Sequence, residues 1–199
     1  MSKRTISRRQ AGAARRQQSV ESITSAAAKL FDLHGWYDVT LVDIAREARV
    51  DVGTVCNHFG TKRFVALAAY NSVLQRILAD VRAEQDAREA LITFVARLSG
   101  ATWAHPVLAL ALLPVSRENA GPAVKRPEPS PDVEFVDFNQ LAETLAELLN
   151  KHWEGRRGHP DHTIHAAEMY LSGMLTWTLL RHEGELNDAA ASYLLYQVL

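Results

Sequence analysis

Residues 40–62 read TLVDIAREARVDVGTVCNHFGTK, and the organisation of the chain follows from them. Thr40 stands before Leu41 with Asp43 three positions on, a capping-box-like start. The Thr40 hydroxyl can accept from the amide at 43, and the Asp43 carboxylate can reach back. Leu41, Ile44, Ala45 and Ala48 then line one face of a short helix. Asp51 is a second N-cap, opening a segment that ends at Gly60. Thr61 is a third, opening a long helix through Phe64, Leu67, Ala68, Val73, Leu74, Ile77 and Val81. Upstream, Val20, Ile23, Ala27, Leu30 and Phe31 form one apolar stripe, and Gly35 stops that helix. Residues 20–60 therefore predict three short helices, with a turn of about three residues between the second and third. That is the size and spacing of a helix-turn-helix, with the first stripe as the surface on which the other two pack.

The rest of the 199 residues continues in helical periodicity, with almost no strand-like alternation. Helical segments are expected at Arg88–Leu98 and about Trp103–Leu113, then after the proline-rich stretch Ala120–Pro131. Further helices are expected from Asp132 or Phe135 to Trp153, from Pro160 to His182, and from Asn187 onward. Apolar residues are 47% of the chain and charged residues 23%, which excludes a wholly disordered chain. The single cysteine, Cys56, excludes an internal disulfide and a cysteine-rich zinc module. The net charge of −1 hides an asymmetry. Residues 1–63 carry 11 Lys/Arg against 6 Asp/Glu, and residues 64–199 carry 11 against 17. A basic end on an acidic body points to an anionic partner for the first third. Leu98–Ser116 lacks acidic and basic residues, but its strongly apolar part is only Val107–Leu113, so it reads as a buried helix rather than a membrane span. No secretory signal is visible at the start, and a cytoplasmic location is expected.

The stretch from Ile23 to Leu67 resembles the TetR family of bacterial transcription regulators. The resemblance rests on Phe31, Gly35-Trp36, Thr40, Ile44-Ala45, Ala48-Arg49-Val50-Asp51 and Gly53-Thr54, then on Val55-Cys56-Asn57-His58-Phe59 and Thr61-Lys62. It implies a DNA-reading head. Gly53 would let the backbone approach DNA closely. Thr54, Asn57 and His58 are expected to point outward together toward base edges or phosphates of a major groove, with Val55 and Phe59 turned inward. Thr40, at a helix N-terminus, and Lys62 are placed to meet phosphates.

Three positions depart from the family pattern. Arg49 replaces a turn glycine, at a cost of roughly 1–2 kcal/mol if the backbone is left-handed there; its guanidinium is a further candidate phosphate contact. Asp51 replaces the usual serine. Cys56 replaces an aromatic residue that commonly contacts the DNA backbone; a redox-sensing thiol is one reading of it, and an inert lone cysteine the commoner one. Residues 1–16, with Lys3, Arg4, Arg8, Arg9, Arg15 and Arg16 and no acid, read as a flexible basic arm along the duplex.

The resemblance further implies a body that binds a small ligand and pairs through its last helices. Phe94, Trp103, His105, Leu108, Leu112, Phe138, Met174 and Trp177 are the candidate lining of an apolar ligand cavity; His105 is alternatively a cap before Pro106. From Ile164 to Leu180 both sides of a helix are apolar, so one side is core and the other a partner surface. Ile164, Leu171, Leu175, Tyr193 and Tyr196 are assigned to that dimer interface. His159, His162 and His165, with Glu168, have helical spacing for a metal but lack a second ligand cluster, so no metal or cofactor is expected. Phosphate-binding glycine loops, Gly-x-Ser-x-Gly and His-Glu-x-x-His are absent from the sequence, and no catalytic residues are assigned.

The expected fold is thus all-α. Residues 1–65 form a three-helix DNA-binding head, and residues 66–199 a helical ligand-binding and dimerisation domain. The expected function is a homodimeric, ligand-responsive repressor on a palindromic operator, with no membrane partner. The alternatives are an architectural DNA-binding protein without a ligand, and a small-molecule binding or catalytic body with a decayed head.

Overall fold

The computed structural model describes residues 3–113, 129–131, 133, 135–154 and 163–181, with the side chains among them from Gly12 to Trp177. All regular structure among these residues is helical. Two compact units form, Met1–Ala69 with Lys125–Glu134, and Tyr70–Val124 with Phe135–Leu199.

In the first unit, α1 spans Lys3–Asp38 and is broken at Gly35, where φ is 72° and ψ −174°. Glycine takes this conformation without a Cβ clash, so the break falls where the sequence puts it. The basic stretch at residues 3–16 is helical, not the flexible arm expected. Its Lys, Arg, Gln and Ala residues are good helix formers, with the weaker Thr5, Ile6, Ser7 and Gly12 among them. Ile23, Ala27 and Phe31 of the apolar stripe are fully buried. The short helices α2 (Leu41–Ala48) and α3 (Val52–Phe59) follow, α2 packing on α1 and α3 on α2. Ile44, Val55 and Phe59 complete this core. Helix α4 (Lys62–Ala83) starts after Thr61, whose hydroxyl accepts from the Phe64 amide at 3.4 Å. The boundary between the two units falls inside α4.

In the second unit, α5 runs Ala87–Ala104, capped by Asp86, whose carboxylate accepts from the amides of Arg88 and Glu89. It ends because His105 precedes Pro106: residues before proline are pushed out of the helical region, and His105 sits at φ −132°, ψ 60°. The single helix expected over 103–113 is therefore divided between α5, the short α6 (Pro106–Ala109) and a 3₁₀ turn, Leu110–Leu112. Helix α7 (Phe138–Trp153) opens with a full capping box between Asp137 and Gln140, and α8 spans Thr163–Arg181. Helices α5, α7 and α8 pack against one another around Phe94, Leu98, Leu141, Leu171 and Leu175. The final helix expected from Asn187 lies outside the described residues. Among the described residues no helix is long and apolar enough to cross a membrane.

The two apolar sides of α8 are now distinguished. Ala167, Leu171 and Leu175 are completely buried in their own subunit. Leu171 and Leu175 are therefore core residues, which corrects their assignment to a dimer interface. The outward side carries Met169, Tyr170 and Trp177, 75%, 48% and 62% exposed, and Ile164 at its edge. Tyr193 and Tyr196 lie outside the described residues.

Replacing a fully enclosed aromatic leaves a cavity as well as lost transfer energy. Phe94→Ala is expected to lower the unfolding free energy by about 3–5 kcal/mol in urea titrations. Ile92→Ala, on the same helix but 47% exposed, is expected to change it by about 0.5 kcal/mol or less.

Candidate nucleic-acid interface

The outward surface of α2 and α3 is set by how their ends are closed. At the start of α2, the Thr40 hydroxyl accepts from the Asp43 amide at 3.2 Å, and the Asp43 carboxylate accepts from the Thr40 amide at 3.1 Å. The Thr40 hydroxyl also donates to the Asp43 carboxylate, and this bond first, then the one from the Thr40 amide, holds the Asp43 carboxyl below the usual carboxylate range, with Arg46, 3.1 Å away, adding to the effect. The other end closes at Arg49, which is left-handed at φ 57°, ψ 42°. The amide of Arg49 donates to Arg46 O and that of Val50 to Ala45 O, the bond pair of a Schellman motif. Arg49 thus takes the conformation of the glycine it replaces, and its side chain is exposed.

At the start of α3, Asp51 accepts from the Gly53 amide at 2.7 Å. A Cβ on Gly53 would lie 2.9 Å from that same carboxylate oxygen. Gly53 therefore keeps room for the cap, a role distinct from the close approach to DNA expected of it. On α3, Val52, Cys56 and Asn57 are exposed and Thr54 is half-buried. Val55 and Phe59 are buried, as their spacing predicts.

His58 departs from expectation. It is 9% exposed, with its ring tilted against Phe59 at 6.1 Å. One turn after Val55 and next to Phe59, it shares the inward face of α3, so it is a packing residue and not a reading one. Lys62 also departs from its expected phosphate contact. Its ammonium donates to the carbonyls of Trp36, at 2.6 Å, and Val39, at 3.0 Å. It lies 5.0 Å from the Trp36 ring centre. Burial lowers its pKa, while Asp38 acts in the opposite direction. Lys62 clamps the chain between α1 and α2 to the start of α4. The sequence signal for this was the unsatisfied carbonyls that a helix end must leave behind, here beyond Gly35.

Residues 23–69 match the family described as bacterial regulatory proteins, tetR family. Over this stretch the chain is similar to the TetR family. The HTH-type transcriptional regulator HbdR of Aromatoleum sp. (strain CIB) is 36% identical over 83 residues, 42% of this chain and 35% of HbdR. That match spans about a third of HbdR's length. Solved structures resemble the fold of most of the chain at lower identity. The fatty acid degradation regulator FadR of Bacillus halodurans is 20% identical with a TM-score of 0.54, over 87% of this chain and 94% of that one. FadR of Bacillus subtilis, solved with stearoyl-CoA, is 16% identical with a TM-score of 0.52, over 89% and 97%.

In the second unit the expected ligand residues differ in exposure. Phe94, Leu108, Leu112 and Phe138 are buried, while Trp103 and Trp177 are exposed, because each falls on the outward side of its helix. The Met174 sulfur accepts from the Ser99 hydroxyl at 3.1 Å. His105 makes no side-chain cap to α6; it sits edge-on to Tyr70 at 6.2 Å with its Nδ1 buried and unpartnered. Burial pushes the Tyr70 phenol well up, and nearby Thr102, whose own proton goes to Leu98 O, offsets this only in part. A groove of about 460 Å³ lies elsewhere, lined by Leu78, Val81, Arg82, Val136, Glu147 and Lys151 among others. Among the described residues no group of three metal-ligating side chains forms. His165 pairs with Glu168 at 3.3 Å, and His159 and His162 lie outside the described residues.

Two substitutions separate closure from contact. Arg49→Gly relieves the left-handed strain and is expected to raise thermal stability by about 1 kcal/mol. Lys62→Met removes the donor from two carbonyls and is expected to cost about 1–3 kcal/mol in denaturant unfolding. Its effect on the salt dependence of DNA binding is expected to be nil, whereas a phosphate contact would lower the slope by about one.

Proposed function

We propose that this TetR-family transcriptional regulator is a ligand-responsive repressor that binds a palindromic operator as a homodimer. In this reading residues 1–65 contact DNA, and residues 66–199 sense the ligand and pair the subunits. The observation that carries it is the outer face of α3: Val52, Cys56, Asn57 and half-buried Thr54 stand outward on a helix whose inner face is locked by Val55, His58 and Phe59. A helix held so firmly on one side offers a rigid set of groups on the other, which is what base reading requires. Around it, Thr40 and Arg49 are exposed and suited to phosphates.

Pairing is supported by the outward face of α8. Met169, Tyr170 and Trp177 form an exposed apolar surface beside Gly173, where an added Cβ would meet open space. A surface of this kind on a small chain favours a second copy of itself. The ligand reading rests on the groove of the second unit, where buried Leu78, Val81 and Val136 lie among Arg82, Glu147 and Lys151, a mixed lining that suits an amphipathic molecule. Stearoyl-CoA, present in the FadR structure of Bacillus subtilis, is the first compound to try.

The test is a salt titration of binding to DNA upstream of the protein's own gene, against random duplex. Selective, salt-dependent binding is expected, with Asn57→Ala losing about 1–3 kcal/mol of that selectivity. Equal binding to both duplexes would establish an architectural protein instead, and no binding would remove the DNA role.

A further inference from the structure

Helix α3 leaves its last carbonyls without intrahelical partners, as every helix does. Gly60 N donates to Cys56 O at 2.8 Å and Thr61 N to Phe59 O at 2.7 Å. The carbonyl of His58, between them, is satisfied from far along the chain: Ser130 N donates to it at 2.8 Å. Ser130 belongs to a segment grouped with the first unit, although it lies in sequence among the helices of the second. The donor is held by its own local structure. Val133 N donates back to Ser130 O at 2.9 Å, closing a turn with Pro131 at its second position, where proline presets the backbone. Pro129 stiffens the approach from the other side. Val133 is buried, so the turn is seated and not merely adjacent. Just beyond it, Val136 N donates to the Asn71 side chain on α4 at 2.8 Å, and Asp137 opens α7.

We propose that the Ser130–Val133 turn positions the reading helix, closing the C-terminal end of α3 with a backbone hydrogen bond and so giving that helix a second connection along the chain toward α7 besides α4. The inference rests on the reading of α3 as the DNA-contacting helix. A change at the start of α7 then has a short route to α3: through the backbone from Val136 to Ser130, across one hydrogen bond to His58 O. His58 itself is buried, so a shift of its carbonyl moves a residue already packed under the outer face. The turn uses only a backbone amide at the point of contact, which is why composition alone flags the segment as a loop and nothing more.

The test uses the full chain and backbone amide exchange, with Ser130→Pro, which lacks the donating N–H, and Ser130→Ala, which keeps it. In the unaltered protein the Ser130 amide is expected to be protected. In Ser130→Pro, exchange at residues 57–61 is expected to quicken about five-fold, the effect of losing one hydrogen bond, while α5 and α7 amides are unchanged. Ser130→Ala is expected to exchange at residues 57–61 like the unaltered protein. Affinity for the upstream duplex is expected to fall at least five-fold in the proline variant alone. An unprotected Ser130 amide in the unaltered protein would overturn the proposal whether or not the proline variant folds. So would equal α3 exchange in all three proteins, or faster exchange with unaltered DNA affinity. If the unaltered protein bound no DNA, the regulator reading would fail separately, and the exchange data would still decide whether the turn holds α3.

Discussion

An eight-residue helix leaves half of its backbone polar groups at its ends, where no intrahelical partner exists. Both α2 and α3 are of that length. Neither would persist alone in water, since isolated helices shorter than about 12 residues are marginal. The head of this protein depends on closing those ends. Thr40 and Asp43 close the start of α2, Arg49 and Val50 its end, and Asp51 the start of α3. Lys62 closes the chain leaving α1, and Ser130 the carbonyl of His58. Hydrophobic contact through Ile44, Val55 and Phe59 then supplies the driving force, but capping fixes where each helix begins and stops.

These closures divide by sequence distance, and the division explains what could be read in advance. Thr40, Asp51 and Thr61 cap groups two or three residues away, so their chemistry and spacing are visible in the letters themselves. The left-handed turn at Arg49 is likewise legible, through the glycine that the family pattern has there. Lys62 and Ser130 act on carbonyls distant in sequence, with whole helices in between. A lysine beside a DNA-reading segment invites a phosphate assignment, and nothing in its neighbours names Trp36 O or Val39 O as the receiver. A serine between two prolines announces a loop and conceals its partner.

In the body the helices were legible but their faces were not. Periodicity locates apolar residues on a helix without saying which side meets its own chain. On α8 both sides are apolar, and only packing against α5 and α7 assigns Leu171 and Leu175 to the interior and Met169 and Trp177 to the outside. Trp103 and Trp177 illustrate the same limit. Large aromatics are expected inside, yet their place is decided by angular position, and both fall on the outward side of helices whose inner faces are already filled by Phe94, Leu98 and Leu171. His105 is the converse case. Proline at 106 forces it out of the helix, and the resulting corner buries a ring nitrogen that composition would have left in water.

The motif that relates this chain to its family therefore mixes two kinds of residue. Gly53, His58, Phe59 and Lys62 hold α3 in place: the glycine leaves room for the Asp51 cap, the histidine and phenylalanine fill the underside, and the lysine anchors the preceding joint. Val52, Thr54, Cys56 and Asn57 are what that construction presents outward, in full or in part. The residues that match the family pattern best are mostly of the first kind, and the clearest departure on the outer face, Cys56, is of the second. That is the arrangement expected if the scaffold is shared while the sequence read by the head is not. Inner positions are constrained by packing and backbone closure, which are the same whatever DNA is bound. Outer positions answer only to the partner. The likeness in residues 23–69 accordingly falls mainly on the residues that hold α3, and under the proposed function any choice of DNA sequence rests with the outer side chains.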